Sequence, residues 1–279
     1  MPLRARMGTP ANNVVEILTL HVVTDIHELP GHRYAVVCNQ IDEGGNVLQE
    51  RTFTSSHVFL AAGSMGTSKL LVKAKAKGTL HRLNDAVGHF WGANGDTFGL
   101  RVGLPPTNPS QGGPGSVVIE DHDNPLGPQA LLPSPQWNET REGYVYHLGL
   151  GIGPAKGSFQ YDHSTDRVRL FWPKDDPEVV QARQGALLTC QRLDQANTNS
   201  QYQPTTAYVG DGGTAHPVGG AVLGKACDLY GRVKGYKGLY VVDGAMIPGS
   251  TGATNPSLTI AALAERCVER IIAEDKIGK

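Results

Sequence analysis

Residues 14–24 (VVEILTLHVVT), 33–39 (RYAVVCN) and 47–54 (VLQERTFT) are rich in β-branched residues, and Pro30-Gly31 and Asp42 to Gly45 separate them. Runs of this kind bounded by turn-formers predict strands, here a meander. The apolar run Val58 to Ala62 then meets Gly63-Ser64, after which Met65, Leu70, Leu71 and Ala74 recur at helical spacing as far as Gly78. That pattern predicts a buried strand, a tight turn and a helix. In an α/β sheet such a turn lies at the carboxyl end of a strand, where cofactors usually bind, although plain strand–helix packing explains the same residues.

The pattern changes in the middle of the chain. Residues 103–143 are dense in Pro, Gly and polar side chains, whereas 144–153 (YVYHLGLGIG) and 157–172 (GSFQYDHSTDRVRLFW) return to strand character with a turn at 162–166. A helix is predicted over 177–196, a buried strand over 239–243, and a final helix over 255–273. Strand character at both ends with a different middle predicts one domain interrupted by another. No internal repeat is visible.

Charge and composition narrow the classes. The 25 Lys and Arg balance 26 Asp and Glu and are dispersed, so neither a nucleic-acid surface nor a polybasic membrane surface is expected. Cys38, Cys190, Cys227 and Cys267 lie far apart and form no ligand cluster, which argues against zinc or a disulfide framework and for buried thiols. No apolar run approaches the ~18 residues of a membrane span, and MPLRARMGTPANN lacks the apolar core of a signal peptide. The expectation is a soluble chain with no address and no metal.

In the final helix Ile260, Leu263, Ala264, Cys267, Val268 and Ile271 share one face, with Arg266, Glu269 and Glu274 mostly outside it. Asn255 suits the N-cap, Pro256 the first helical position, and Ser257 and Thr259 the first turn, which contains no acid. Such an amino end attracts an anion or an electron-rich ring, or simply faces solvent. Asp243, at the carboxyl end of the preceding strand, is placed either to accept hydrogen bonds from sugar hydroxyls or to form a turn with Gly244.

These residues also carry a resemblance. The run 216-HPVGGAVLGKACDLYGRVKGYKGLYVVDGAMIPGSTGATNPSLTIAALAERCVERII-272 closely resembles the end of cholesterol oxidases of the glucose–methanol–choline (GMC) flavin oxidoreductase family. The similarity continues upstream through GSFQYDHSTDRVRLFW, FWGANGD, 59-FLAAGSMGTSKLL-71 and TLHVV at 19–23. It implies an α/β (α+β overall) fold, in which an incomplete FAD-binding Rossmann-like domain is interrupted by a substrate domain with a mainly antiparallel sheet. The implied boundaries are 1–88 and 229–279 for the FAD-binding part and 89–228 for the substrate part.

The resemblance also implies the site. The family's active-site histidine and asparagine match His216 and Asn255, and its flavin-contacting segment matches Asp243, Gly244, Asn255 and Pro256, with Ser257 adjoining. The implied activity is oxidation of the 3-hydroxyl of cholesterol or a similar bulky alcohol, with FAD as cofactor and dioxygen or another electron acceptor. His216 would accept or share the hydroxyl proton while Asn255 orients the substrate oxygen. Related oxidases are often secreted.

Departures qualify the match. The family's G-x-G-x-x-G, which binds the pyrophosphate of FAD, is missing, so the chain resembles a fragment, a truncated product or one half of a split enzyme. The alternative to an active enzyme is a non-catalytic piece that binds no FAD alone and depends on a missing N-terminal half. Anchoring on 133-PSP-135 places Ala130 where sterol isomerisation uses a glutamate, with Glu120, Asp121 and Glu139 as nearby acids; isomerase activity is expected to be weak or absent. The loop 249–255 is one residue longer than in relatives, and Ser257 replaces an aromatic residue.

Overall fold

The structure, a computed structural model, describes residues 16–106, 117–134, 141–210, 213–275 and 277. In chain order, β1 (His21–Leu29), β2 (Arg33–Ile41) and β3 (Val47–Ser55) are followed by β4 (Val58–Leu60) and α1 (Gly63–Ala76). Next come β5 (Thr97–Val102), β6 (Ile119–Asp121), β7 (Gln129–Ser134) and β8 (Val145–Leu150). The hairpin β9 (Ser158–Asp162) and β10 (Arg167–Phe171) precedes α2 (Pro177–Gln195) and β11 (Thr205–Gly210). Finally β12 (Leu239–Val241) leads through a short 3-10 turn at Gly244–Met246 to α3 (Ser257–Asp275).

The expected meander is present as an antiparallel sheet in the order β1-β2-β3. Its first strand lies later than the apolar pattern suggested and runs on to Leu29, because the hairpin closes through Pro30, Gly31 and His32 and pairs Leu29 with Arg33. Cross-strand pairing, and not β-propensity alone, sets the limit. Residues 14 and 15 of the expected strand lie outside the described residues.

β4 and β12 form a parallel pair with Val58, Phe59 and Leu60 opposite Leu239, Tyr240 and Val241. Both read as continuous apolar runs, as strands buried on two faces do. One core joins this pair to α1, α3 and β2 through Leu60, Leu71, Tyr240, Cys267, Ile271 and Tyr34, all at most 5 % exposed. Tyr34 Oη donates to the Lys237 carbonyl at 2.7 Å, tying the meander to the turn before β12. The four cysteines are free and buried.

The second sheet is antiparallel, in the order β11-β5-β8-β7-β6. β6 and β7 fall within the stretch read as Pro- and Gly-rich loops. Pro133 is tolerated in β7 because β6 pairs only with Gln129 to Leu131, so beyond that point β7 has one neighbour among the described residues, β8. α2 covers one face: Arg101 pairs with Asp194, Arg192 with Asp121, and Cys190 Sγ lies 3.2 Å from His147 Nε2. Strand alternation therefore puts Phe98, Leu100, Leu148 and Tyr208 on the face away from α2.

Candidate active site

His216 and Asn255 meet. Asn255 Nδ2 lies 2.9 Å from His216 Nε2, and His216 Nδ1 lies 3.0 Å from Asp96 Oδ1. The same Asp96 carboxylate accepts from Thr214 Oγ1 at 2.8 Å and from the Ala215 N–H at 2.9 Å. Burial falls along this line: the Asp96 side chain is 0 % exposed, that of His216 11 %, and Asn255 is exposed.

Local structure fixes which atoms donate. The Ser257 N–H, one of the free donors at the start of α3, donates to Asn255 Oδ1 at 3.0 Å, so the amide NH2 must face His216. Asn255 thus caps the helix as its sequence suggested, and the cap turns its amide toward the histidine. At the other side of the ring the carboxylate is an acceptor, so Nδ1 carries the hydrogen. Both partners specify one tautomer: Nδ1–H donates to Asp96 and the Nε2 lone pair accepts from Asn255.

One segment holds both residues in place. Asn94, 0 % exposed, donates from Nδ2 to the Thr254 carbonyl at 2.9 Å and accepts from the Thr251 N–H at 2.8 Å, clamping the loop that ends at Asn255. Two residues on, Asp96 clamps the loop that carries His216. Gly92 bridges Val218 by a pair of backbone bonds, and a Cβ on Gly92 would lie 2.4 Å from the Gly249 carbonyl oxygen. The backbones of three segments approach so closely there that only glycine fits. Sequence reasoning quoted FWGANGD yet assigned neither Asn94 nor Asp96; an Asn and an Asp two apart among small residues was the available signal.

The other predicted residues lie around this centre. Asp243 is buried; its Oδ2 accepts from Thr67 Oγ1 at 2.5 Å and its Oδ1 from the Ala245 N–H at 2.8 Å. Burial raises its pKa, against the pull of those donors. It therefore ties the turn after β12 to the first turns of α1. The Gly244 carbonyl accepts from Gly219 N–H at 2.9 Å, and a Cβ there would crowd Ile260 Cδ1 at 3.2 Å and the Pro217 oxygen at 3.4 Å. Pro256 is buried and Ser257 exposed. Ala130 lies in β7, buried, opposite Leu150 on one side and Glu120 on the other.

A flavin's pyrimidine end placed here would meet no acidic residue in the first turn of α3, where Ser257 and the preceding Asn255 are open to solvent. At the start of α1, a Cβ added to Gly63 would meet nothing within 4 Å. A pyrophosphate cradle of the G-x-G-x-x-G type does not occur in the sequence. Among the described residues no three His, Cys, Asp or Glu side chains group as metal ligands, and no helix is long and apolar enough to cross a membrane.

Comparison with known proteins gives the chain's relatives. Residues 155–264 match the GMC oxidoreductase family. The cholesterol oxidase of Mycobacterium tuberculosis is 28 % identical over 270 residues, covering 77 % of this chain and 46 % of that protein. That of Acinetobacter baumannii is 26 % identical over 273 residues, covering 81 % and 49 %. An FAD-dependent oxidoreductase from Chaetomium thermophilum shares the fold at a TM-score of 0.64 and 15 % identity, over 93 % of this chain and 62 % of that one. Residues 155–264 thus match the C-terminal domain of the GMC oxidoreductases. More particularly, the chain is a distant relative of the cholesterol oxidases, and it spans about half the length of the curated relatives it matches.

Proposed function

We propose that this chain supplies the proton-accepting and substrate-holding side of an FAD-dependent alcohol oxidase, whose substrate is a sterol 3-hydroxyl or a similarly bulky secondary alcohol. The observation that carries the reading is the hydrogen-bonded line from Asp96 through His216 to Asn255, with one tautomer specified from both ends. An alcohol oxygen that takes the place of the Asn255 amide at Nε2 gives its proton to the lone pair so released. Asp96 then stabilises the imidazolium and keeps the ring oriented, while the Asn255 amide donates to the alcohol oxygen. Bound FAD supplies the acceptor for the carbinol hydride, at N5, and dioxygen is the terminal acceptor.

The residues assigned to hold the flavin are Gly244 and the Asn255-Pro256-Ser257 turn, with Asp243 fixing the turn beneath them. The amino end of α3 favours the negative charge that reduced flavin carries near N1. Phe98 and Tyr208, 41 % and 56 % exposed on the face away from α2, offer apolar area to a large ring system close to Asp96. With Ala130 at the position matched to the isomerising glutamate, the product is the ketone with its double bond unmoved.

A second reading is that the chain alone neither binds FAD nor turns over, and needs a polypeptide bearing the pyrophosphate cradle. The missing G-x-G-x-x-G and a span of 46 % of a relative favour it. Flavin absorbance of the purified chain, alone and mixed with a polypeptide carrying a G-x-G-x-x-G βαβ unit, separates the readings. Stoichiometric flavin on the chain alone removes the second. In whichever preparation holds flavin, His216→Ala is expected to abolish cholesterol oxidation while the flavin spectrum persists; unchanged turnover removes the site assignment.

A further inference from the structure

A break in strand alternation decides which way Tyr208 faces. In β11 the Thr206 N–H and Oγ1 both donate to Asp194 Oδ2 of α2, at 2.8 and 2.6 Å, so Thr206 lies on the face that the helix covers. Strict alternation would turn Tyr208 to that same face. Instead the register slips between them: Thr206 pairs with Arg101 but Tyr208 with Leu100, which leaves Ala207 as a bulge. Tyr208 thereby crosses to the open face, where it is 56 % exposed and Phe98 41 %.

Gly210, the next residue of β11 on that face, gives the ring its direction. A Cβ on Gly210 would collide with Tyr208 Oη and Cζ, so the phenol lies along β11 with its hydroxyl over Gly210. Gly210 pairs with Phe98 at the end of the sheet nearest the candidate active site. Asp96 stands just before β5 there, and Thr214 and His216, which bond its carboxylate, follow β11. Phe98 leans the same way: its Cε2 is 3.9 Å from where a Cβ of Gly213 would lie. The hydroxyls of Tyr34, Tyr161 and Tyr240 donate to the Lys237 carbonyl, Asp166 and Asp275. Among the described residues that of Tyr208 has no hydrogen-bond partner. A bulge and a glycine thus lay one phenol on the open face and turn its unused donor toward the reacting end.

We propose that Tyr208 is a specificity-determining residue: its hydroxyl hydrogen-bonds a second oxygen of the substrate, so the site prefers a bulky alcohol with a further hydroxyl or ketone on its ring system over the same alcohol without one. The rings of Phe98 and Tyr208 cover the apolar body, and Oη reads the polar group upon it. An exposed hydroxyl returns to water when that group is lacking, so the preference is worth one neutral hydrogen bond, about two- to tenfold in kcat/KM. The proposal deepens the reading of this chain as the substrate-holding side of an alcohol oxidase, and rests on it.

The flavin-loaded enzyme is assayed with androstan-3-ol and with derivatives of it that carry one further hydroxyl or ketone on ring B, C or D. At least one derivative is expected to exceed the parent alcohol in kcat/KM by about two- to tenfold, chiefly through KM. Tyr208→Phe keeps the ring and removes the hydroxyl, and is expected to bring the ratio of that derivative to the parent down to about one. Gly210→Ala moves the phenol without altering it and is expected to lose the same preference; should that variant not fold, Tyr208→Phe decides. A merely structural Tyr208 would slow parent and derivative alike and leave their ratio unchanged. A preference that survives either substitution in a folded enzyme overturns the proposal, as does its absence from the whole series. Either result with oxidation that depends on His216 leaves the oxidase reading standing. If no alcohol is oxidised in a way that needs His216, that reading falls and the proposal with it.

Discussion

The five-stranded antiparallel sheet and the two-stranded parallel pair differ in completeness. In the five-stranded sheet every interior strand has two neighbours, and one face is closed by α2 through Arg101–Asp194, Arg192–Asp121 and the Asn124 Nδ2 bond to the Gly185 carbonyl at 2.9 Å. The parallel pair β4 and β12 is just as apolar but ends in an open edge. β4 and β12 are brought together from residues 60 and 239, as β5 and β11 are from residues 102 and 205, but the parallel pair has no third strand among the described residues. Apolarity alone thus does not make a sheet self-sufficient. The candidate active site is held by the complete side: Asn94 and Asp96 come from the segment leading into β5.

If that difference is functional, changes on the complete side have the largest effects. His216→Ala in the flavin-loaded enzyme is expected to lower alcohol oxidation by about 10²–10⁴-fold, the usual worth of a positioned general base, with flavin absorbance retained. Next comes Asp96→Ala, which leaves Thr214 Oγ1, the Ala215 N–H and His216 Nδ1 without their acceptor. It should cost about 1–3 kcal/mol or more of stability and lower kcat further than KM changes. Asp96→Asn keeps an oxygen in place and should restore most of the stability. If Asp96→Ala oxidises alcohol as fast as the parent, orientation of the histidine does not matter and the clamp is merely structural.

Most of the elements were legible because local pattern decides them. The helix read over 177–196 is Pro177–Gln195, with Asp176 accepting from the Glu178 N–H as its cap. β6 and β7 were not legible, since Pro133 and nearby turn residues hide strands that exist through pairing, β7 with β8 and β6 with β7. His216 and Asn255 were found through resemblance, and their contact with each other confirms only that they are neighbours. Asp96 and Asn94 escaped because their meaning depends on partners 120 and 160 residues away, which no spacing rule records. Asp243 was legible as a strand-end acid, but the identity of its partners, Thr67 and Ala245, was not.

The complete sheet should also respond to pH in a way the open pair does not. Burial beneath α2 depresses the pKa of His147 from 6.5 to about 4. Between those values the unfolded chain binds a proton that the folded chain refuses, so stability falls as pH falls from about 6.5 toward about 4. The full contribution is about 3 kcal/mol. In His147→Gln that component should vanish, measured as a smaller difference in urea midpoint between neutral and mildly acidic buffer. An unchanged difference would mean that the α2 face is wet, and the contrast between the sheets would fail.

The smallest effect is expected on the open side. Val23 lines the cleft beside β4 at 37 % exposure, so Val23→Thr puts a hydroxyl where water already reaches. In the isolated chain the stability change should stay within about 0.5 kcal/mol, the usual range for surface positions. A loss of about 2 kcal/mol or more in the isolated chain would mean that the cleft is already closed, leaving β4 no more open than the strands of the antiparallel sheet.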